Sequence, residues 1–431
     1  MRNLLNYLAV GGVCLAGSFL RAQSTDAYEQ PPISYSATRP NDAIARLQTR
    51  LTSGELKFSG SDKEIVEALL RELRIPAESQ VVVFSKTSFQ RDRIRPEHPR
   101  AIYFSDTCYV GWVPSGLVEV TDIDPVLGPI FYSFDPSASK PEFTRDADCL
   151  RCHGGTFHRG IPSIFARSVI PNEDGEPLLR FGTELVDFRT PFTNRWGGWY
   201  VTGQHGSALH RGNVMARGKD NEPTDFKRGA NVKSLGGFFE TKTYLAEGSD
   251  IVALLVFEHQ TAMQNTLTRA SMECRRMLAY QQNLQRELKE TVTDELTYDS
   301  VKSVFESSVR QLVDDLLFKG EAPLPDGIAG SEKFQGEFLA SARRANDGSS
   351  LKEFQLRGHL FRNRCSYLIY SEGFLNLPEQ LKRRVYERLG RALHPTNPDP
   401  QYTYIPSEER GRIAKILRET HPELKTTLAQ Q

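Results

Sequence analysis

Five consecutive residues, Cys149-Leu150-Arg151-Cys152-His153, hold the densest chemistry in the chain. Two thiols separated by two residues and followed at once by an imidazole form a C-x-x-C-H pentad, the attachment pattern of c-type haem. The spacing has a physical reason. Thiols so placed reach the two vinyl groups on one edge of a porphyrin, and the adjacent histidine is held beneath the iron as its proximal ligand. Two plainer readings compete. A redox dithiol wants a thioredoxin-like β-α-β setting, which the flanking sequence lacks. A zinc site wants a second C-x-x-C or a spaced histidine pair, and neither follows at finger spacing. The pentad occurs once in a chain with 6 Cys and 9 His. One covalent haem c is therefore expected, on Cys149 and Cys152, with His153 as iron ligand.

The opposite face of such an iron needs a second donor, water or an open position. Residues 196–213 are rich in candidates, since two of the 3 Trp, five glycines, His205 and His210 fall there. Glycine permits close backbone approach, and aromatic rings supply the apolar walls a porphyrin needs. His205 is the first candidate for the distal metal ligand and His210 the second, both as haem-binding residues; the plainer alternative is a Gly-rich surface loop with incidental histidines. His259 and Met263 stand one helical turn apart and share a face, where a core histidine with a satisfied hydrogen bond is the competing reading. His158 is too near His153 in sequence to reach the other haem face. The methionines after the pentad, Met215, Met263, Met272 and Met277, are not in Pro-flanked loops, so the small cytochrome c fold is not expected. No phosphate loop, H-E-x-x-H or G-x-S-x-G is present.

The elements that must position these residues change character along the chain. Arg2, an apolar run over 8–20 and the small residue Ala22 form an export signal at 1–22, too short to span a bilayer comfortably. Residues 23–40, polar and rich in proline, read as a leader or linker. Two helical stretches follow, split by Gly54 and the turn at 59–61, with Ser61 capping the second. Between 80 and about 205 short β-branched and aromatic runs alternate with turn residues: 81–84, 101–104, 108–113, 117–121 and 130–134, then a hairpin of 163–170 with 177–182 across 172–175. From 252 to 290 runs the longest helical segment, free of Pro and Gly. Further helices are expected at 298–317, 333–345, 378–393 and 407–419. The expected class is α+β: a strand-rich region over 41–250 carrying the haem loop, and a helical region over 251–431 packed on it. Cys108, Cys274 and Cys365 are expected as buried free thiols.

Composition narrows the function classes. Of 431 residues 25% are charged, and 54 basic residues balance 54 acidic ones, which offers no field for nucleic acid. Removal of the signal takes two arginines and no acid, leaving a slightly acidic chain not integral to the membrane, in a compartment where disulfides survive.

Several stretches together resemble a family of exported, cytochrome-c-type proteins of environmental Gram-negative bacteria: Val83-Phe84-Ser85-Lys86-Thr87-Ser88, Pro99 to Phe104, Val110 to Val113, the pentad, Trp199 to Asn213, Glu258-His259-Gln260 and Cys365 to Ser371. The likeness spans about residues 80–420. It implies a haem and electron transfer, and no particular substrate. The expected function is that of a periplasmic mono-haem c-type cytochrome exchanging electrons with redox partner proteins. The alternative is a haem-dependent oxidoreductase or peroxidase-like enzyme with a labile distal position, for which His210-Arg211 is the one proton-moving pair in the Gly-rich stretch.

Overall fold

The structure, a computed structural model, describes residues 26–155, 160–218, 222–223 and 225–425. The expected export signal, Cys14 and His158 lie outside them. No helix among the described residues is long and apolar enough to cross a membrane.

The short runs of valine, isoleucine and aromatics pair in chain order. Strands β1 (Val81–Val83), β2 (Arg100–Phe104), β3 (Cys108–Trp112), β4 (Val118–Asp124), β5 (Gly128–Phe134) and β6 (Phe143–Arg145) form an antiparallel meander. A hairpin of β7 (Ala166–Val169) and β8 (Thr183–Val186) stands apart, and β9 (Trp199–Tyr200) returns to pair with β1, giving the order β6-β5-β4-β3-β2-β1-β9. Nearly every residue of the central strands is buried. The reason is that both faces are covered, so apolar side chains are required at odd and even positions alike. Val82, Tyr103, Val110, Trp112 and Tyr132 face one core; Val81, Val83, Phe104, Tyr109 and Phe131 face the other.

The first core is closed by α1 (Ala43–Ser53) and α2 (Asp62–Glu72). Ser61 caps α2 in a reciprocal capping box with Glu64, as the sequence leads one to expect. Residues 26–40 depart from the expected loose leader. Tyr28, Ile33 and Tyr35 are buried in this core, and the Tyr35 hydroxyl donates to the Pro129 carbonyl at 2.6 Å. Three large side chains brought to one face outweigh the linker character of the prolines.

After β6 comes one helical turn, α3 (Leu150–His153). The second core is closed by α4 (Ile251–Glu287), whose start is fixed by Asp250 accepting from the amides of Val252 and Ala253. Its 37 residues make a rod of roughly 55 Å that crosses the sheet, with Ile251 bonded to the Thr202 carbonyl after β9 and Thr268 against Gly128 of β5. Over its first half helix α4 is buried except at Ala262, Asn265 and Arg269, which are half-buried along one face, because the sheet covers one side and α5 (Asp299–Leu316) packs on another. Beyond lie α6 (Glu332–Ala340), α7 (Glu372–Leu375), α8 (Glu379–Leu393) and α9 (Ser407–Thr420). The architecture is the expected α+β class, a strand-rich N-terminal half and a helical C-terminal half. The two halves share one core, since α4 supplies the second cover of the sheet. The hairpin differs in detail: the turn at 172–175 forms, but the return strand starts at Thr183 because Leu179–Phe181 makes a 3-10 turn first.

Candidate functional site

The pentad is built on a helical turn. The Asp146 carboxylate accepts from the Asp148 amide and starts a 3-10 turn over Ala147–Cys149, which runs directly into α3. Cys149 already has helical dihedrals, φ −58° and ψ −33°. Residues three and four apart share a helix face, so Cys149, Cys152 and His153 project from one side of a single turn. Cys152 is exposed and Cys149 half-buried, and neither is in a disulfide. Burial, and next the nearby Asp146, push the Cys149 thiol up to about 12, so it is protonated at neutral pH.

The imidazole of His153 is held on three sides. Its ring lies between Phe131 of β5, at 4.6 Å between centroids, and Phe165, at 4.9 Å. Its Nδ1 is 2.7 Å from the carbonyl oxygen of Ser163. A carbonyl only accepts, so Nδ1 carries the hydrogen, and in the neutral ring Nε2 bears the lone pair. Metal-ligating histidines are oriented in this way, with the second nitrogen donating to a carbonyl or carboxylate. The seat is fastened from α4: Asn265 accepts from the Ile164 amide at 2.9 Å and donates to the Ile164 carbonyl at 2.6 Å. The Ser163 amide closes the loop on the His153 carbonyl at 2.9 Å.

His205 and His210 are brought to each other and not to this seat. Their rings are 4.6 Å apart in a buried cage with Phe192 and Trp196. His205 Nε2 accepts from the Asn231 amide at 2.9 Å, and His210 Nδ1 accepts from the Gly212 amide at 3.0 Å. Each lone pair that iron would need is therefore engaged by a backbone N–H. Position agrees. Arg195, next to the cage, pairs with Glu258 on α4 at 2.7 Å. The seat of His153 is tied to Asn265, seven positions and about 10 Å farther along the helix. Across the sheet, β5 and β9 are separated by four strands, about 24 Å at the usual spacing. Two axial nitrogens of one iron stand only about 4 Å apart, at roughly 2 Å from the metal each.

The glycines of the stretch have another purpose than approach to a porphyrin. A Cβ at Gly197 would lie 2.2 Å from the Val169 carbonyl, and one at Gly198 2.5 Å from the Ser85 hydroxyl, at φ +83°. They let β9 press against β7 and the end of β1. Burial holds the His210 imidazole down at about 3, with His205 adding to it, and lowers His205 as well.

His259 takes the plainer of its two readings. It is buried in the second core, its Nε2 is 2.9 Å from the Ser366 hydroxyl, and its ring stacks on Phe318 at 4.2 Å. Met263 is buried in the same core. Cys108, Cys274 and Cys365 are buried free thiols.

No protein-family model, curated protein or solved structure matches this chain. The site must be read from its own atoms. Among the described residues no group of three or more His, Cys, Asp or Glu side chains is gathered to hold a bare metal ion. A porphyrin asks less of the protein, because it brings four nitrogens of its own and takes its axial ligands from one or two side chains. A pair of adjacent thiols and an imidazole of fixed tautomer fit that demand. Phe131, Ser163, Phe165 and Asn265, which orient His153, carried no signal in the sequence. Asn265 is 101 positions from the residue it fastens, and Ser163 acts through a backbone carbonyl that any residue possesses.

Proposed function

We propose that the chain is an exported mono-haem c-type cytochrome working in electron transfer, with Cys149 and Cys152 tethering the porphyrin and His153 as the proximal ligand. The observation that carries this reading is the hydrogen bond from His153 Nδ1 to the Ser163 carbonyl, which puts the ring hydrogen on Nδ1 and fixes the tautomer as in metal-ligating histidines. Bound haem c supplies an iron that gains and loses one electron. The protein's own part is orientation. Phe131 and Phe165 hold the imidazole plane, Asn265 holds the segment that carries the accepting carbonyl, and the carbonyl raises the basicity of the ligating nitrogen. The exposed Cys152 would leave one edge of the group near the surface, where redox partner proteins exchange electrons. The resemblance to exported cytochrome-c-type proteins points the same way.

The test is expression in a host with the haem-attachment machinery. The wild type is expected to keep its haem on a denaturing gel, and Cys149→Ala with Cys152→Ala to lose the stain. Covalent haem retained in the double variant would refute the proposal.

A further inference from the structure

We infer that the cavity between the start of α1, strand β4 and the start of α7 binds a small acidic amino acid, a guest with two carboxylates and one ammonium group. The inference is separate from the haem reading, because neither the pentad nor the residues that seat His153 line this cavity. Its volume is about 390 Å³, at the lower end of small-molecule pockets, roughly 300–1,000 Å³.

The gap lies where three tethered segments meet. The Asp122 carboxylate on β4 accepts from the Ala43 amide at 2.6 Å and pins the first turn of α1 to the sheet. The turn between β2 and β3 is held from α4, where Gln260 and Gln264 donate to the carbonyls of Ser105 and Asp106 at 2.6 and 3.1 Å. The Tyr367 hydroxyl donates to Gln260 at 2.6 Å, which sets the 3-10 turn Tyr367–Tyr370 and α7 after it. The walls are thus fastened to the core independently of any guest.

The charges on these walls divide into engaged and unengaged groups. Lys352 is only 4% exposed; its ammonium has both oxygens of Asp106 at 2.8 Å and Ser341 Oγ at 2.7 Å. Asp42 accepts from the Ala45 amide and the Tyr132 hydroxyl, both at 2.7 Å. Burial pushes Asp122 up to about 7, with Asp42 adding to it, so this carboxyl is partly protonated near neutrality. Three side chains remain. Arg46, Arg343 and Glu372 line the cavity and are exposed, and they have neither an ion pair nor a side-chain hydrogen bond among the described residues. The Arg343 guanidinium lies over the Tyr370 ring, 4.9 Å from its centroid, which steadies it at the wall.

Two guanidiniums and one carboxylate are the charge complement of an acidic amino acid. A guanidinium takes a carboxylate through two parallel hydrogen bonds, and Glu372 accepts from an ammonium group. A second observation puts the ammonium beside α7. Gln264 Oε1 is buried and has no hydrogen-bond partner, a loss of free energy that a nearby donor relieves. It stands 4.0 Å from the place a Cβ on Gly373 would occupy, with Ser371 Oγ at 3.8 Å. Gly373 lines the cavity, so both oxygens lie behind the stretch of wall next to Glu372 that carries no side chain. A dicarboxylate without the ammonium leaves Glu372 facing like charge, and a side-chain amide leaves one guanidinium without its carboxylate.

The experiment is calorimetric titration of the full-length protein, produced as for the haem test, near neutral pH and at low salt. The probes are L-aspartate and L-glutamate, each with its matching dicarboxylate (succinate, glutarate) and its side-chain amide. One of the two acidic amino acids is expected to bind at one site per chain, and its dicarboxylate and amide at least tenfold more weakly. Arg46→Gln and Arg343→Gln are each expected to weaken that amino acid at least tenfold. Glu372→Gln should weaken the amino acid and not the dicarboxylate, a split that a merely structural effect would not produce. All three positions are exposed, so the melting temperatures should match the wild type. A wild type that takes up neither amino acid overturns the inference. A dicarboxylate or amide bound as tightly as the amino acid overturns the charge complement. Affinity unchanged in the double variant of Arg46→Gln with Arg343→Gln overturns the cavity as the site.

Discussion

Replacing Asn265 by alanine tests the seat of His153 most directly. The substitution removes two hydrogen bonds, at 2.9 and 2.6 Å, both to the backbone of Ile164. Ile164 is buried, only 6% exposed, so its amide and carbonyl lose their partners in a place with little access to solvent. A typical bond contributes about 1 kcal/mol net, and a stranded buried group costs about 1–3 kcal/mol. Asn265 borders a cavity of about 310 Å³ between the 163–165 segment, the hairpin and α4, and water entering there would satisfy part of the loss. The expected destabilisation is therefore about 2–3 kcal/mol, near the lower end of the sum. It should be local. Hydrogen exchange resolved by peptide should show faster exchange over residues 160–166, and the melting temperature should fall by several degrees. The His153–Ser163 bond loosens with the segment, so a haem-loaded Asn265→Ala protein should also show a shifted midpoint potential, which a purely structural role elsewhere would not produce. Unchanged exchange over 160–166 together with an unchanged potential would refute the argument that α4 orients the imidazole.

Two further outcomes follow from buried charge. Burial keeps the imidazoles of His210 and His259 neutral, at about 3 in the fold against an ordinary 6.5; the unfolded chain binds their protons first, so stability is complete above pH 6.5 and drains away as the pH falls towards 3. Between pH 7.5 and 5 each should cost about 2 kcal/mol by linkage, seen as a lower urea midpoint; His210→Gln should flatten that slope, and an identical slope in the variant would contradict the assignment. The Arg195–Glu258 pair is almost entirely buried, at 2% and 0% side-chain exposure, and Glu258→Ala leaves the guanidinium with only the carbonyls of Thr190 and Phe188. A loss of about 3–5 kcal/mol is expected, with most of it recovered by the double change Arg195→Met and Glu258→Leu, and thermal melts of the three proteins compare them.

The class of fold was legible because the strand runs of residues 81–134 announce themselves by β-branched and aromatic side chains between turn residues, and α4 by its uninterrupted length. Ser61 and Glu64 disclosed the start of α2 through a local rule. What misled was the stretch 196–213. Glycines that admit a close neighbour look the same in sequence whether the neighbour is a porphyrin or the Val169 carbonyl, and histidines in a pocket look the same whether their lone pairs are offered or already taken by Asn231 and Gly212. The pentad was visible as a pattern because it is contained in five adjacent residues, and its haem reading is the proposal above. The seat beneath it was not, because it joins β5, the Ser163 backbone and α4 across contacts with no fixed spacing.

That arrangement has a consequence for the order in which the molecule is made. A chain emerges N-terminus first and its early parts fold as they appear. The meander β1 to β6 has mostly neighbouring partners, the kind of pairing that needs little loop closure and forms early. The turn bearing Cys149, Cys152 and His153 follows it immediately, yet the side chain that locks its surroundings, Asn265, is translated 101 positions after Ile164. For that interval the thiols and imidazole stand on a formed sheet edge with one wall missing. If the turn carries haem as proposed, a modifying enzyme acting in that interval would meet the thiols with the α4 wall still open.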